Sequence, residues 1–249
     1  MIVLKTSREL ALMREACRIS AGALQVAGEA VRPGISTWEI DKIAYDYIKS
    51  QGAEPNFLNL YGFPATACIS INDEVIHGIP SKKRILKSGD IVSIDLGAKI
   101  GGYNGDNAAT FACGEISEEA KRLMDTTRES LYEAIKMAVP GGKIGDIASA
   151  VQTYCESRGY SVVREYTGHG VGKELHEDPS VPNYGTAGRG VRLLPGMTIA
   201  IEPMINQGTA KIKVLPDGWT VKTQDSKLSA HFEHTIAITK DGPVILTRP

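Results

Sequence analysis

Four acidic residues of a type that binds metal ions occupy matching places in an internal repeat of this sequence. When the chain is aligned with itself at an offset of 107 residues, the run IVSID, which ends at Asp95, aligns with TIAIE, which ends at Glu202. A second acid follows in each half after a longer gap, Asp106 in DNAATFA and Glu233 in EHTIAIT. Each half therefore places two carboxylates on apolar segments, where an isolated charge is expensive to bury.

The surroundings of these acids favour metal binding over structural ion pairs. No Lys or Arg lies in the apolar runs around Asp95, Glu202 or Glu233. Four carboxylates packed together would repel one another, and most would stay protonated at pH 7. Two divalent cations would neutralise them, and carboxylates with an occasional imidazole suit Mn, Fe(II), Co or Zn. An Arg partner that approaches from elsewhere in the fold remains the structural alternative.

Most of the five histidines lie in segments that resemble functional motifs. His169 lies in TGHGVG, His176 in HEDP and His77 in NDEVIHGIP. A glycine-flanked histidine alone is a weak signal, because many such residues simply occupy loops. Strand alternation places His231 on the face of the neighbouring acid and His234 on the opposite face.

Several function classes are disfavoured by composition and by missing motifs. The net charge of -1 provides no global field for nucleic acid or an anionic membrane. H-E-x-x-H, G-x-G-x-x-G, G-x-x-x-x-G-K-[ST] and G-x-S-x-G are all absent. The four cysteines form no C-x-x-C pair, and no apolar segment reaches membrane-spanning length. We therefore expect a cytoplasmic protein with reduced thiols.

Local signals predict a pair of helices in each half. Thr6 with Glu9, and Ser36 with Glu39, have the spacing of capping boxes. The first two helices should end near Val31 and Gly52, and the second half repeats the plan with helices over about 118–138 and up to residue 159.

Apolar strands follow each helix pair. Segments 90–98 and 105–112 flank a hairpin signal, and a loop formed by Ile100 and Gly101 would place Asp95 directly opposite Asp106. We expect an α+β fold in which a helix-pair and antiparallel-sheet unit occurs twice with pseudo-two-fold symmetry. Residues 1–249 would form a single catalytic domain with halves of about 1–115 and 116–249, and the site would lie where the halves meet.

Five ordered motifs, SINDEVIHGIP, DIVSIDLGAKIGGYNGD, TGHGVGKELHEDP, TIAIEPM and SAHFEHT, resemble those of type I methionine aminopeptidases over essentially the whole chain. The resemblance implies the pita-bread (creatinase/aminopeptidase-like) fold and a metal-dependent hydrolase that removes initiator methionine when the second residue is small. It also implies a two-metal centre, with Co, Mn, Fe(II), Ni or Zn as candidate ions, whose ligands match Asp95, Asp106, His169, Glu202 and Glu233.

The resemblance assigns further roles. Asp106 and Glu233 would bridge both ions, and Glu202 would accept a proton from the attacking water and deliver it to the leaving amine. His176 would donate to the carbonyl oxygen as it becomes negative, and His77 would contact the first peptide nitrogen.

A methionine pocket is expected from Phe63, Cys68 and Trp219, with His77 and His176 also contacting the substrate. Trp219 could instead be a surface aromatic in the loop PDGWT. Where relatives often carry Tyr, Cys and Phe, this chain has other apolar residues that alter the wall, namely Leu60, Phe57 and Leu175. Some family members bind a monovalent cation near the loop that matches Asn72 and Ser229.

Two alternative functions remain open at this point. A proline-directed peptidase resembling prolidase or aminopeptidase P would share the fold, although those relatives usually carry an additional N-terminal domain. A non-catalytic binding module should have lost metal ligands, whereas all five are present here. N-terminal Met peptides of nascent chains are the expected partners, with transient ribosome contact and a monomeric state.

Overall fold

The structure, a computed structural model, describes residues 1–248. Four α-helices lie within these residues: α1 (Ser7–Glu29), α2 (Thr37–Ser50), α3 (Glu118–Met137) and α4 (Ile144–Glu156). The strands are β1 (Glu54–Pro55), β2 (Ala67–Ile71), β3 (Glu74–Ile76), β4 (Ile91–Ile100), β5 (Tyr103–Ala112), β6 (Ser161–Val162), β7 (Gly168–Gly170), β8 (Glu177–Val181), β9 (Thr198–Ile201), β10 (Met204–Asn206), β11 (Ile212–Val214), β12 (Val221–Thr223), β13 (Ser229–His231), β14 (Glu233–Thr239) and β15 (Gly242–Ile245).

The helix starts predicted from capping residues are confirmed. The Thr6 backbone N–H donates to Glu9 Oε2 at 2.8 Å, and the Ser36 N–H donates to Glu39 Oε2 at 2.9 Å. Each cap side chain accepts a hydrogen bond in return, so both capping boxes are complete. Gly52 follows α2 with a φ of +71°, the left-handed conformation that ends many helices. None of the helices in residues 1–248 combines the length and apolar character needed to cross a membrane.

A nine-stranded antiparallel sheet carries the predicted acids. Its main path runs β1-β4-β5-β14-β9-β7-β8, with β2 added to β4 and β15 to β14. The residues that follow the acids show where the helices pack. The Ser20 hydroxyl of α1 donates a hydrogen bond to Asn107 Oδ1, and His234 Nε2 lies 3.4 Å from the Tyr132 hydroxyl of α3. Because side chains alternate along a strand, the helices cover one face and the acids point to the other.

The internal repeat reappears as matched backbone contacts. Gly34 N–H donates to the Leu86 carbonyl at 2.9 Å, and Gly141 N–H donates to the Leu193 carbonyl at 2.8 Å. These contacts are separated by the offset found in the sequence, and both glycines have a φ of +89°. Separate apolar clusters lie beneath α1–α2 and beneath α3–α4. The duplicated α+β fold is therefore confirmed, while the boundary near residue 115 stays a prediction.

The predicted pairing of the β4–β5 hairpin was wrong by one residue in the loop. Ile100 pairs with Tyr103, so the two loop residues are Gly101 and Gly102, with φ values of +60° and +80°. A two-residue turn of this kind needs positive φ at both positions, which glycine adopts freely and isoleucine does not. As a result, Asp95 lies opposite Ala108 and Asp106 lies opposite Gly97. The two acids are diagonal neighbours on one face instead of a direct pair.

Helix α1 lies directly against β5 beside one of the acids. A methyl group added at Gly105 would come within 2.5 Å of the Cys17 backbone nitrogen. Glycine is therefore required here, because only its missing side chain lets the helix backbone approach the strand so closely.

Candidate metal centre and substrate cavity

The sheet register places the acids in adjacent rows. Asp95 pairs with Ala108, which in turn pairs with Glu233, so both acids belong to one row across β4, β5 and β14. Asp106 lies in the next row on the same face, and Glu202 directly follows β9. Three neighbouring strands and the end of a fourth thus carry the four carboxylates.

Side-chain distances bring the predicted ligands together. Asp106, His169 and Glu233 each offer a ligand atom, and these atoms lie within 4.8 Å of one another. His169 Nε2 is 3.6 Å from Asp106 Oδ2 and 3.5 Å from Glu202 Oε1. Asp95 lines one cavity together with these four residues. The structure therefore gathers all five residues, with the tightest cluster formed by three of them.

The four acids cannot all ionise without cations. Burial, opposed only by a hydrogen bond from the Asn107 backbone, raises the pKa of Asp106 to about 7. Burial first, and then the charges of neighbouring acids, raise the pKa values of Asp95, Glu202 and Glu233 well above their usual range. Within residues 1–248, these acids form no ion pair with a Lys or Arg side chain. The Arg-partner alternative is therefore wrong for the described part of the chain.

His169 presents an unprotonated nitrogen to the acids. Its Nδ1 lies 2.9 Å from the Gly170 carbonyl, which can only accept, so Nδ1 carries the proton. Burial, followed by the effect of His176, lowers the pKa of His169 to about 4, so the ring is neutral at pH 7. Nε2 therefore directs a lone pair at two carboxylates. This is the arrangement of a metal-ligating histidine, whose other nitrogen usually donates to a carbonyl.

Unsatisfied oxygens support the same interpretation. Asp95 Oδ1, Asp106 Oδ1 and Glu233 Oε1 are buried without a hydrogen-bond partner. Orphaned buried acceptors are costly, and a cation would satisfy them. Four carboxylates and one neutral imidazole also form a donor set suited to divalent transition metals. The residues present therefore fit the two-ion site that the sequence predicts.

Two further histidines lie around this cluster. The rings of His169 and His176 meet edge to face at 4.4 Å, and His176 is open to solvent on its outer side. Partial desolvation lowers the pKa of His176, and burial lowers that of His77 to about 4. Both rings are therefore neutral at pH 7, and each carries one N–H that can donate.

His231 and His234 lie where strand alternation placed them. His231 Nε2 is 3.8 Å from Glu202 Oε2, so this side chain faces the acids. His234 lies on the helix-covered face, with Nδ1 2.9 Å from Thr247 Oγ1.

An apolar pocket adjoins the acids within one cavity of about 290 Å³. Phe63 and Trp219 meet edge to face at 5.2 Å, so Trp219 is a wall residue and not a separate surface aromatic. The His77 ring lies 6.4 Å from the Trp219 ring and 5.6 Å from that of Tyr166. The altered wall residues belong to the same apolar cluster, which includes Phe57, Leu60, Phe63, Cys68, Leu175 and Trp219.

Some residues around the cavity were missed by sequence reasoning. Tyr61 and Tyr166 line it without belonging to any of the motifs, and Thr167, the first residue of TGHGVG, lines it too. Glu177, the residue that follows His176 in the sequence, forms an ion pair with Lys5, whose Nζ lies 2.5 Å from Glu177 Oε2. Both side chains are largely buried. No local signal could reveal a pair of residues 172 positions apart. The position of Thr167 within the TGHGVG motif, and of Tyr166 directly before it, was the one usable hint.

Comparison with protein-family models gives one clear match. The model described as metallopeptidase family M24 matches residues 11–240. Methionine aminopeptidase 1 of Bacillus subtilis is 54% identical over 248 residues, covering 100% of both chains. Methionine aminopeptidase of Clostridium acetobutylicum is 52% identical over 247 residues, covering 99% of both.

Solved structures show the same relationship. Methionine aminopeptidase from Thermotoga maritima superposes with a TM-score of 0.99 at 45% identity, and all of both chains is covered. The prolidase of Pyrococcus furiosus superposes with a TM-score of 0.80 at 28% identity, covering 99% of this chain but 66% of the prolidase. The pita-bread architecture is shared with both groups.

Proposed function

The chain belongs to metallopeptidase family M24, and from this premise we propose that it removes N-terminal methionine from polypeptides whose second residue is small. It is a metallo-aminopeptidase by family and by its relatives, and the methionine preference comes from those relatives and from the cavity. The observation that carries the proposal is a single cavity in which the His169 lone pair and the unsatisfied acids adjoin an apolar pocket.

The five clustered residues would hold two divalent ions, with Asp106, His169 and Glu233 as the most closely grouped ligands. When bound, such ions make a water molecule acidic enough to act as a nucleophile at neutral pH and polarise the scissile carbonyl. Co, Mn, Fe(II), Ni and Zn all suit this donor set, and selectivity among them depends on geometry and availability.

Glu202 would move the proton in this reaction. One of its oxygens lies 3.5 Å from His169 Nε2 and the other lies toward His231, so its carboxylate borders both the ligands and the cavity. We assign it the role of accepting the proton of the attacking water and passing it to the leaving amine, a contribution of about 10²–10⁴-fold in rate.

The two neutral histidines would bind the substrate backbone. His176, at the cavity mouth, would donate to the carbonyl oxygen as negative charge develops, a contribution of about 3–4 kcal/mol to the barrier. His77, beside Trp219, would contact the first peptide nitrogen and orient the methionine.

The apolar wall would select methionine. Phe63, Cys68 and Trp219 form an apolar wall of the cavity, which suits a slim, polarisable thioether. Phe57, Leu60 and Leu175 shape that wall, so its tolerance for methionine analogues is particular to this chain.

Several wider aspects belong to the same proposal. Nascent chains with N-terminal methionine are the substrates, encountered in the cytoplasm with transient ribosome contact. The enzyme acts as a monomer and reads no nucleic acid. A monovalent cation would bind near Asn72 and Ser229, where the Ser229 N–H meets the Asn72 carbonyl at 2.9 Å.

The test uses metal-depleted protein, to which each of the five ions is restored in turn. Release of the first residue from Met-Ala-Ser, Leu-Ala-Ser and Ala-Pro-Ser is followed by chromatography, with bound metal measured on the same samples. We expect methionine release from Met-Ala-Ser only, together with two bound ions per chain.

Other outcomes identify the alternatives. Turnover of Ala-Pro-Ser with none of Met-Ala-Ser would assign the chain to the proline-directed branch of the fold. Metal binding without hydrolysis of any peptide would support a non-catalytic binding module.

A further inference from the structure

Tyr61 is a bulky aromatic residue that the chain exposes at the mouth of the cavity. The residue is 79% exposed, yet it lines the same cavity as the acids. Burial of apolar surface therefore does not account for the position of its ring.

The backbone of Tyr61 is held in a conformation that bulky residues rarely adopt. Its φ of +50° and ψ of +21° are left-handed. The flanking Phe57 and Phe63 are buried, and the Leu60 N–H donates to the Phe57 carbonyl at 2.9 Å while the Asn59 N–H donates to the Phe63 carbonyl at 2.8 Å. A closed loop with two buried anchors thus maintains the strain, which is typical of functional positions.

The ring of Tyr61 faces His176. The two ring centroids are 6.2 Å apart with an interplanar angle of 20°, and both residues are exposed. His176 in turn meets His169 at 4.4 Å, so three rings lead from the acids to the solvent. A planar group inserted between two parallel rings needs about 7 Å, because each contact is about 3.5 Å. The centroid distance of 6.2 Å is below that value, so the two rings must move apart before a planar group can enter.

The chain beside His176 is anchored through its neighbour, whereas the Tyr61 ring is free to move. Glu177, the neighbour of His176, is tied to Lys5 by a largely buried ion pair, and its Oε1 also accepts from the Glu174 N–H at 3.3 Å. The exposed Tyr61 ring can rotate on a picosecond to nanosecond timescale, which would open the gap by the small amount needed.

We propose that Tyr61 and His176 form the two walls of a slot that receives the peptide group following the scissile bond, and that Tyr61 limits the size of the substrate's second side chain. The inference rests on the proposed function and deepens it. Tyr61 and His176 are both exposed in the cavity lining, so a polypeptide whose methionine occupies the apolar pocket would reach solvent past them. A branched or long second side chain would then collide with the Tyr61 ring.

The test compares kcat/KM for Met-Ala-Ser and Met-Leu-Ser across variants. Tyr61→Asn removes the ring and tolerates left-handed backbone, Tyr61→Gly does so without strain, and Tyr61→Phe keeps the ring. Tyr45→Ala, which removes a partly exposed aromatic ring from α2, is the matched control. We expect the Met-Leu-Ser to Met-Ala-Ser ratio to rise about tenfold in the Asn and Gly variants and to stay unchanged in the Phe variant and the control.

Stability provides an independent readout. Release of the left-handed strain should leave the Asn and Gly variants at least as stable toward urea as the parent protein, whereas a merely structural rim residue would lower the midpoint. An unchanged specificity ratio in both variants, with Met-Ala-Ser still cleaved, would overturn the slot. Failure of the parent protein to cleave any Met peptide would instead reject the proposed function.

Discussion

The chain buries carboxylates in two contrasting ways. Glu177 lies 2.5 Å from Lys5, and the two side chains are 13% and 3% exposed. Asp106 and Glu233 are similarly buried, yet each leaves an oxygen without a hydrogen-bond partner and neither has a Lys or Arg partner within residues 1–248. The first arrangement contains its own cation, and the second requires cations from outside.

This contrast separates structural from functional acids on physical grounds. A buried ion pair is complete when the protein folds, and removing one partner strands the other charge. The acids of the cluster have raised pKa values and therefore keep their protons near neutral pH, unless metal ions bind and replace those protons. The two kinds of site should therefore respond differently to substitution, to pH and to chelators.

The largest effect is expected at Glu202. Glu202→Gln should lower kcat on Met-Ala-Ser by about 10²–10⁴-fold, because the amide cannot accept the proton, while KM changes little. Glu174→Gln, at an exposed acid near the cavity mouth, is the control and should retain activity. Equal losses in kcat and in peptide affinity would assign Glu202 a scaffolding role.

At the buried ion pair, we expect a loss of stability with metal binding preserved. Lys5→Met should lower the free energy of unfolding by about 3–5 kcal/mol, since Glu177 is left without its cation. Lys42→Met breaks an exposed pair with Asp46, whose side chains are 51% and 57% exposed, and should cost at most about 1 kcal/mol. Urea unfolding and metal analysis measure both. Loss of bound metal in Lys5→Met would remove the distinction between the two regions.

Asp41 provides an intermediate case, because backbone groups satisfy it. Its Oδ1 accepts from the N–H groups of Thr66 and Ala67 at 2.9 and 2.8 Å, next to the pocket residue Cys68. Asp41→Ala should lower the free energy of unfolding by about 1–3 kcal/mol by leaving these donors unpaired, whereas Asp41→Asn keeps an acceptor and should lose less. Equal losses in the two variants would show that these hydrogen bonds contribute little.

The smallest effect is a pH dependence of the metal-free protein. Because folding raises the pKa values of the cluster acids, the stability they contribute is present at low pH and is lost as pH rises through their folded pKa, about 7 for Asp106. Below about pH 6.5, histidines with lowered pKa values give the opposite slope, so the test lies between pH 6.5 and 8.5.

Without metal, urea unfolding in that range should show stability that declines with pH, by at most about 1.4 kcal/mol per pH unit for each acid that is still protonated in the folded protein. Protein loaded with Mn²⁺ should show a flatter profile, because the ions and not protons then neutralise the acids. If stability changed with pH equally in the metal-free and the Mn²⁺-loaded protein, the acid cluster would not depend on added cations, and its contrast with the Lys5–Glu177 pair would be wrong.

Sequence reasoning predicted those features that depend on local patterns or on the repeat. The helix starts at Thr6 and Ser36 follow from side chains three residues apart, and the gathering of Asp95 and Glu202 follows from their equivalent places in two halves. The β4–β5 pairing was missed because the choice between Ile100-Gly101 and Gly101-Gly102 as the turn depends on backbone conformation, which alternating hydrophobicity does not reveal.

Features that depend on distant contacts were beyond the sequence. The partnership of Lys5 with Glu177 forms only when the fold is complete. Tyr61 carries no motif, and its conformation is imposed by hydrogen bonds across its loop. The assignment of catalytic roles to individual ligands stays a prediction, since distances alone do not distinguish a proton acceptor from a ligand.

Because Gly105 has no side chain, the backbone of helix α1 packs directly against the strand residue that precedes Asp106. With a methyl position only 2.5 Å from the Cys17 backbone, no deformable layer separates the helix from the strand. A displacement of α1 would therefore be transmitted directly to β5 and to the position of Asp106. Conversely, a ligand that fixes Asp106 would stiffen a helix on the far side of the sheet.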